Sequence, residues 1–233
     1  MTPKDTVLSP DRLGARATAM VFLAFAAAYF FAAVLRAIIA TLAPVLTQDF
    51  ALQARDLGLL AGGFFLGFAA VQLPLGTWLD RHGPKHVILG FLSLAVVGCL
   101  AFSVATSFAG LLTARVLVGM GVGACLMTAL TGYRRWFDAA TLLRTNSWML
   151  MTGSLGMLAS TLPVQWLMPL TGWRPLFWLL AGLILLSMAA IAWIVPGWRA
   201  TALPAPAGLG ADSAMHDEAG YASIWRSRYF HKL

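Results

Sequence analysis

Long apolar runs alternate with short polar joints along the whole chain. The runs fall at roughly 19–45, 57–79, 87–106, 109–131, 146–168 and 174–195, and each is close to or above the roughly 20 residues that a helix needs to cross about 30 Å of hydrocarbon. No Asp or Glu lies inside any of them. The joints carry charge or turn residues: Thr47-Gln48-Asp49 to Asp56, Asp80 to His86, Thr106-Ser107, Tyr133 to Thr145, and Gly172-Trp173-Arg174. Lipid offers a backbone amide no hydrogen-bond partner, so each run is expected to be helical. Joints this short make successive helices antiparallel. The pattern predicts an all-α membrane protein with six transmembrane helices over residues 19–195.

Composition agrees with that pattern: 60% of the residues are hydrophobic and 11% charged, where a soluble domain has roughly 45–50% and about 25%. The first run follows Lys4, Arg12 and Arg16, as a secretory leader would, but it continues to Leu46, far past the roughly 7–15 apolar residues of a leader. It is expected to stay as a first span. Cys99 and Cys125 both fall inside runs, where small-hydrophobe packing is the default for a cysteine and neither a disulfide framework nor a metal site is expected.

The formal charge of +7 would suit nucleic acid if it formed a patch, but the cations are distributed by joint. With alternating spans, Lys4, Arg12, Arg16, Arg81, Lys85, Arg134, Arg135, Arg144, Arg199, Arg226, Arg228 and Lys232 fall on one side, and Arg55 and Arg174 on the other. Positive residues mark the cytoplasmic side, so both termini, including the 1–18 segment, are expected in the cytoplasm, with the chain in an inner or plasma membrane. Nucleic acid is not an expected partner; membrane lipid is. Residues 196–220 are rich in Ala, Pro and Gly and read as a cytoplasmic linker. Residues 221–233 mix Tyr221, Trp225, Tyr229 and Phe230 with Arg226, Arg228 and Lys232. They read as an interfacial amphipathic segment or the start of a second half.

One joint is more than a joint. Gly76-Thr-Trp-Leu-Asp80-Arg81-His-Gly83-Pro-Lys85-His-Val-Ile88 sets a carboxylate at a helix end, a turn glycine and two cations in a row, a charged latch able to dock on a helix terminus. It resembles the signature loop of the major facilitator superfamily, G-x-L-A-D-R-x-G-R-K-x-x-L. Gly76, Asp80, Arg81, Gly83 and Lys85 match, while Trp78, Leu79, Pro84 and Ile88 depart. Arg115-Val-Leu-Val-Gly119-Met-Gly121-Val-Gly123 in the fourth span is similar to the family's R-x-x-x-G-x-G, with glycines that let helices approach closely. Gly153, Gly156, Ser160 and Pro163 in the fifth span, and Gly172-Trp173-Arg174 with Phe177 before the sixth, resemble family features of lower specificity. The resemblance covers nearly the whole chain. It implies the N-terminal six-helix bundle of a transporter that works by alternating access, with a second six-helix half as partner and a loop that helps hold the cytoplasmic side closed.

Two arginines stand inside runs, Arg36 in the first and Arg115 in the fourth. Each costs at least about 2.5–3.5 kcal/mol at mid-membrane unless a cavity or partner receives it, which makes both candidates for the substrate path. Counted along their helices, both should lie roughly 10–13 Å beneath the outer face. The resemblance places the first and fourth helices at a central cavity, where Tyr29 and Gln72 would complete a polar lining. Alternatively, Arg115 is scaffold on backbone carbonyls and Arg36 extends outward along its aliphatic stem. Two cations and no carboxylate within the spans favour an anionic solute.

His82 and His86 have an i,i+4 spacing, but Gly83-Pro84 interrupts it and no third ligand is near, so no metal is expected. No cofactor is implied. A membrane enzyme would need a nucleophile and a base; there is no G-x-S-x-G, no H-E-x-x-H and no histidine inside a run, so no enzyme activity is expected. A non-transporting scaffold or remnant remains the alternative to a transporter half. The six-helix reading leaves the other half to a continuation of the chain, a second copy or a separate partner.

Overall fold

In the computed structural model, residues 13–197 are described; residues 1–12, nearly all of the linker and the 221–233 segment lie outside the described residues. Seven helices follow one another: α1 Ala15–Phe50, α2 Ala54–Val104, α3 Phe108–Val122, α4 Cys125–Trp136, α5 Ala139–Ala159, α6 Leu162–Thr171 and α7 Trp173–Ile194. They make six crossings. At about 1.5 Å per residue, α2 would reach about 76 Å if straight, more than twice the hydrocarbon thickness. Gly83 divides it with φ 73° and ψ 165°, a backbone conformation that costs glycine little and other residues much. Pro84 then opens the returning arm, where a missing N–H is harmless. That the two arms lie side by side is fixed by α3. A Cβ on Gly119 would run into the Phe64 carbonyl of the first arm, and one on Gly121 into the Ala95 backbone of the second.

The fourth and fifth crossings are each built from two helices, where the sequence pattern suggested single ones. α3 gives way to α4 at Gly123-Ala124. α5 ends at Ser160-Thr161, where both hydroxyls turn back on their own helix: Ser160 Oγ donates to Met157 O at 2.6 Å and Thr161 Oγ1 to Leu158 O at 2.6 Å. Such back-bonding competes with the helix ladder, and Pro163 lacks the N–H that would continue it. Thr41 Oγ1 of α1 donates to the Ser160 carbonyl at 2.8 Å, so the break is held against the first span.

Spans in lipid gain little from apolar burial, because lipid tails are as apolar as leucine; close packing of small residues holds them together instead. α3 sits between the arms of α2, and α1 packs against α5 and α7. Cβ atoms on Gly63 and Gly98 would lie 2.7 Å from Leu112 Cδ1 and 2.8 Å from the Val118 amide, and one on Gly67 would enter the Val116 carbonyl. Gly63-xxx-Gly67 thus receives the Leu112–Met120 stretch of α3, and Gly119 and Gly123 receive Phe64 and Val71 of the first arm of α2, so that two small-xxx-small stripes interdigitate with the larger residues of the facing helix.

Polar bonds tie the ends. At one end Trp173 Nε1 donates to Asp49 Oδ2 at 2.7 Å, Arg174 Nη2 to Ala105 O at 2.9 Å, and the Arg174 guanidinium lies 4.2 Å from the Trp173 ring centre. These contacts join the ends of the first and third spans to the start of the sixth. At the other end Leu13 N donates to Trp136 O at 3.2 Å, linking the start of the first span to the end of the fourth.

Candidate functional site

Arg115 is the largest fully buried side chain, 1% exposed, on the face of α3 turned toward the first two spans. Its Nη1 donates to the Leu35 carbonyl at 2.9 Å and its Nε to the Leu60 carbonyl at 3.4 Å, and its guanidinium carbon lies 4.8 Å from the Phe64 ring centre. Backbone carbonyls and an aromatic face thus take the place of water around the buried cation. One side chain fastens spans one, two and four.

Arg36 follows Leu35 immediately, so both arginines meet the same turn of α1. Its environment differs. Arg36 is half-buried, its guanidinium carbon lies 5.5 Å from the Phe68 ring centre, and its Nε is buried without a hydrogen-bond partner among the described residues. A buried donor left unpaired costs about 1–3 kcal/mol. A guanidinium offers five N–H groups in a planar fork that matches a carboxylate edge-on. Phe64 and Phe68 stand one turn apart in the second span, one beneath each arginine.

Gln72, a further turn along, is half-buried and donates from Nε2 to the Gly123 carbonyl at 3.2 Å, at the junction of α3 and α4. Tyr29 is 8% exposed and lies in the seam between α1 and α5, where a Cβ on Gly153 would come within 2.6 Å of its ring. Gly156 makes the neighbouring contact, its would-be Cβ 2.5 Å from the Phe30 carbonyl. The structure thus gathers Arg36, Arg115 and the two phenylalanines. It places Gln72 at the break in span four and Tyr29 in a helix seam.

In the charged loop, Gly76, Asp80 and Arg81 are exposed and Gly83 is buried at the turn. Lys85 reaches across to the sixth span and donates from Nζ to the Val195 carbonyl at 2.8 Å, the residue that closes α7. A cation at a helix C-terminus meets unpaired carbonyls and the negative end of the helix dipole. His86 Nδ1 lies 3.2 Å from His82 O, and no group of three metal-ligating side chains occurs among the described residues.

Sequence reasoning did not single out Phe68, Gly63, Gly67, Gly98 or Thr41. The 63–67 glycine spacing was a signal for close packing. Phe68 offered only its i+4 spacing from Phe64, which any lipid-facing aromatic pair shows.

Comparison with known proteins places these features in context. The family model described as Major Facilitator Superfamily matches residues 11–230. The chain is 32% identical over 152 residues to the 4-hydroxybenzoate transporter PcaK of Pseudomonas aeruginosa, covering 64% of this chain and 33% of that protein. It is 33% identical over 117 residues to the probable sulfoacetate transporter SauU of Cupriavidus necator, covering 48% and 26%, and 27% identical over 161 residues to a gallate transporter of Pseudomonas putida, covering 67% and 35%. The chain thus spans about a third of the length of these relatives, or less. In fold it matches a bacterial homologue of the human lysosomal transporter Spinster, solved inward-facing and unoccupied, with a TM-score of 0.68 at 20% identity, over 92% of this chain and 49% of that one.

Proposed function

Because the chain belongs to the major facilitator superfamily, we propose that it forms one six-helix half of a secondary transporter that moves a small organic anion across a cell's inner or plasma membrane. The observation that carries the reading is Arg36, a half-buried guanidinium whose Nε has no hydrogen-bond partner among the described residues, beside an aromatic face. A solute carboxylate would take its free donors, and the spans hold no carboxylate of their own to compete. The names of the relatives support an anionic solute: 4-hydroxybenzoate, sulfoacetate and gallate.

In this reading Arg115 holds the frame and Arg36 meets the solute. Transport follows when a second six-helix bundle closes over the opposite side of the site and the two halves rock about it. The loop at Gly76 to Lys85, with Asp80 and Arg81 exposed and Lys85 bound to the end of span six, sits on the cytoplasmic side by the charge asymmetry and helps to hold that side closed. Both termini then face the cytoplasm.

The test is uptake of radiolabelled 4-hydroxybenzoate, sulfoacetate and gallate by the transporter that contains this chain. Arg36→Ala is expected to abolish uptake of the transported anion while the protein still inserts, and Arg36→Lys to restore part of it. Unchanged uptake in Arg36→Ala would remove the assignment. Proteoliposomes holding this chain alone supply the second arm: flux from chains shown to be monomeric would overturn the half-transporter reading, whereas flux that appears only when two copies associate would assign the second half to another copy of this chain.

A further inference from the structure

Beside Arg36, the first arm of α2 carries two further side chains in a row. Phe68 and Gln72 are four residues apart in one helix, so they stand on the same face, about 6 Å from each other along the axis. The Arg36 guanidinium carbon lies 5.5 Å from the Phe68 ring centre, and all three residues are half-buried. Cation, aromatic ring and amide therefore follow one another. We propose that Gln72 sets the specificity of the anion site: Arg36 holds the carboxylate of an aromatic acid, Phe68 lies against its ring, and Gln72 Oε1 accepts a hydrogen bond from a hydroxyl at the far end of that ring. The inference rests on the reading of Arg36 as the anion-binding residue and adds the class of anion.

The orientation of the Gln72 amide decides what it can receive. Its nitrogen is the end that faces span four, because the Gly123 carbonyl 3.2 Å from Nε2 can only accept. The oxygen is turned to the other side of the amide, where no described residue donates to it. A hydroxyl satisfies that oxygen, whereas a second carboxylate would meet it lone pair against lone pair. The amide is also held in place. Gly123 ends α3, and a Cβ there would lie 2.7 Å from Cγ2 of Val71, the residue beside Gln72, so the two helices are in contact at this level.

The ring between the two polar ends differs from its neighbour. Phe64, one turn earlier, is fully buried beneath Arg115, whose guanidinium carbon lies 4.8 Å from it. Phe68 keeps part of its ring open, and its arginine stands farther off. An aromatic ring packed there gains an edge-to-face or offset-stacked contact beyond the area it buries, and a guanidinium stacks on flat rings as well. An aliphatic acid of the same size would gain neither. A six-membered ring also carries its para substituents about one helical turn apart, which is the spacing of Phe68 and Gln72.

Calorimetric binding to the transporter with both halves present, using 4-hydroxybenzoate, 4-methoxybenzoate, benzoate and cyclohexanecarboxylate, tests the assignment. The unaltered protein is expected to hold 4-hydroxybenzoate about two- to tenfold more tightly than benzoate, the worth of one neutral hydrogen bond. The methoxy compound, whose oxygen has no proton to donate, should gain nothing over benzoate. Benzoate in turn should bind more tightly than cyclohexanecarboxylate, and Phe68→Leu should remove that difference. Gln72→Met keeps the length of the side chain without its acceptor, and it should weaken 4-hydroxybenzoate about two- to tenfold more than benzoate. Loss of the tie to Gly123 would by itself weaken both anions alike. Equal binding of 4-hydroxybenzoate and benzoate by the unaltered protein, a methoxy compound that binds as tightly as the hydroxy one, or equal weakening of both anions in Gln72→Met would each overturn the proposal. Arg36→Ala separates this from the reading beneath it: if that variant binds all four acids as the unaltered protein does, the anion site itself is lost, and if it binds none of them, the other outcomes judge Gln72 alone.

Discussion

Arg36 and Arg115 are the same residue type, touch the same turn of the first helix and each lie over a phenylalanine of the second, yet they stand in opposite states. Arg115 is closed in, with two carbonyls of two other helices as partners. Arg36 is half open, with a buried Nε that no described residue receives. A membrane helix tolerates a cation only where something replaces water. For Arg115 the fold itself supplies that replacement, so the residue belongs to the architecture. For Arg36 the fold supplies part of it, the Phe68 ring, and leaves the Nε unpaired; our proposal assigns that remainder to the solute.

The contrast predicts that damage at Arg115 and its surrounding glycines is damage to folding. Arg115→Ala removes the link among three helices and leaves a cavity; it should cost about 3 kcal/mol, read as loss of monodisperse protein and a lowered Tm in detergent. Gly119→Val should be comparable, because its side chain would meet the Phe64 backbone, which cannot move aside as a flexible side chain would. Gly62→Ala is the control. A Cβ there meets nothing within 4 Å, and alanine favours the helix by up to about 1 kcal/mol. If Arg115→Ala and Gly62→Ala had the same Tm, the architectural role of Arg115 would be lost.

At Arg36 the prediction runs the other way. Arg36→Ala should leave stability within about 0.5 kcal/mol of the unaltered protein, and Tm nearly unchanged, since it deletes a donor that is already unpaired. Affinity for the anion should fall about 10- to 100-fold, the worth of a charge-assisted hydrogen bond of about 1.5–3 kcal/mol. Calorimetry on the assembled transporter measures both quantities in one preparation. A drop in Tm as large as that of Arg115→Ala would mean that the two arginines share one structural role.

Much of this division was legible in the sequence, though not all of it. The apolar runs located all six crossings, because bilayer thickness sets a length that few other structures require. The charged loop and the Arg115 glycine run carried the family. What one-dimensional reading could not do was rank the two arginines. Each is a cation in an apolar run, and their difference lies in which carbonyls come within reach, a matter of how three helices pack. Tyr29 shows the same limit. Its spacing puts it on the Arg36 side of α1, but Gly153 opens a seam in α5 that takes up its ring. The break at Ser160 was visible in principle, since Ser-Thr before a proline is a poor helix. In an apolar run, the length signal outweighs that local one.

The smallest effect is expected at the loop, where Lys85 and its exposed neighbours repeat the same contrast at the membrane surface. Lys85 has a partner, the Val195 carbonyl at the end of α7, while Asp80 and Arg81 are exposed. Lys85→Met keeps the aliphatic stem and removes the ammonium, so only the bond to the helix end is lost. A single cation at a helix C-terminus contributes roughly 0.3–1 kcal/mol, and the change should lower Tm by no more than a few degrees. Its more informative readout is local. Hydrogen exchange in the last turn of α7 should quicken in Lys85→Met and stay unchanged in Arg81→Met, because the carbonyl at Val195 is what closes that turn against the loop. Equal exchange in the two variants would mean that the loop holds the sixth span through its turn at Gly83 and not through the lysine.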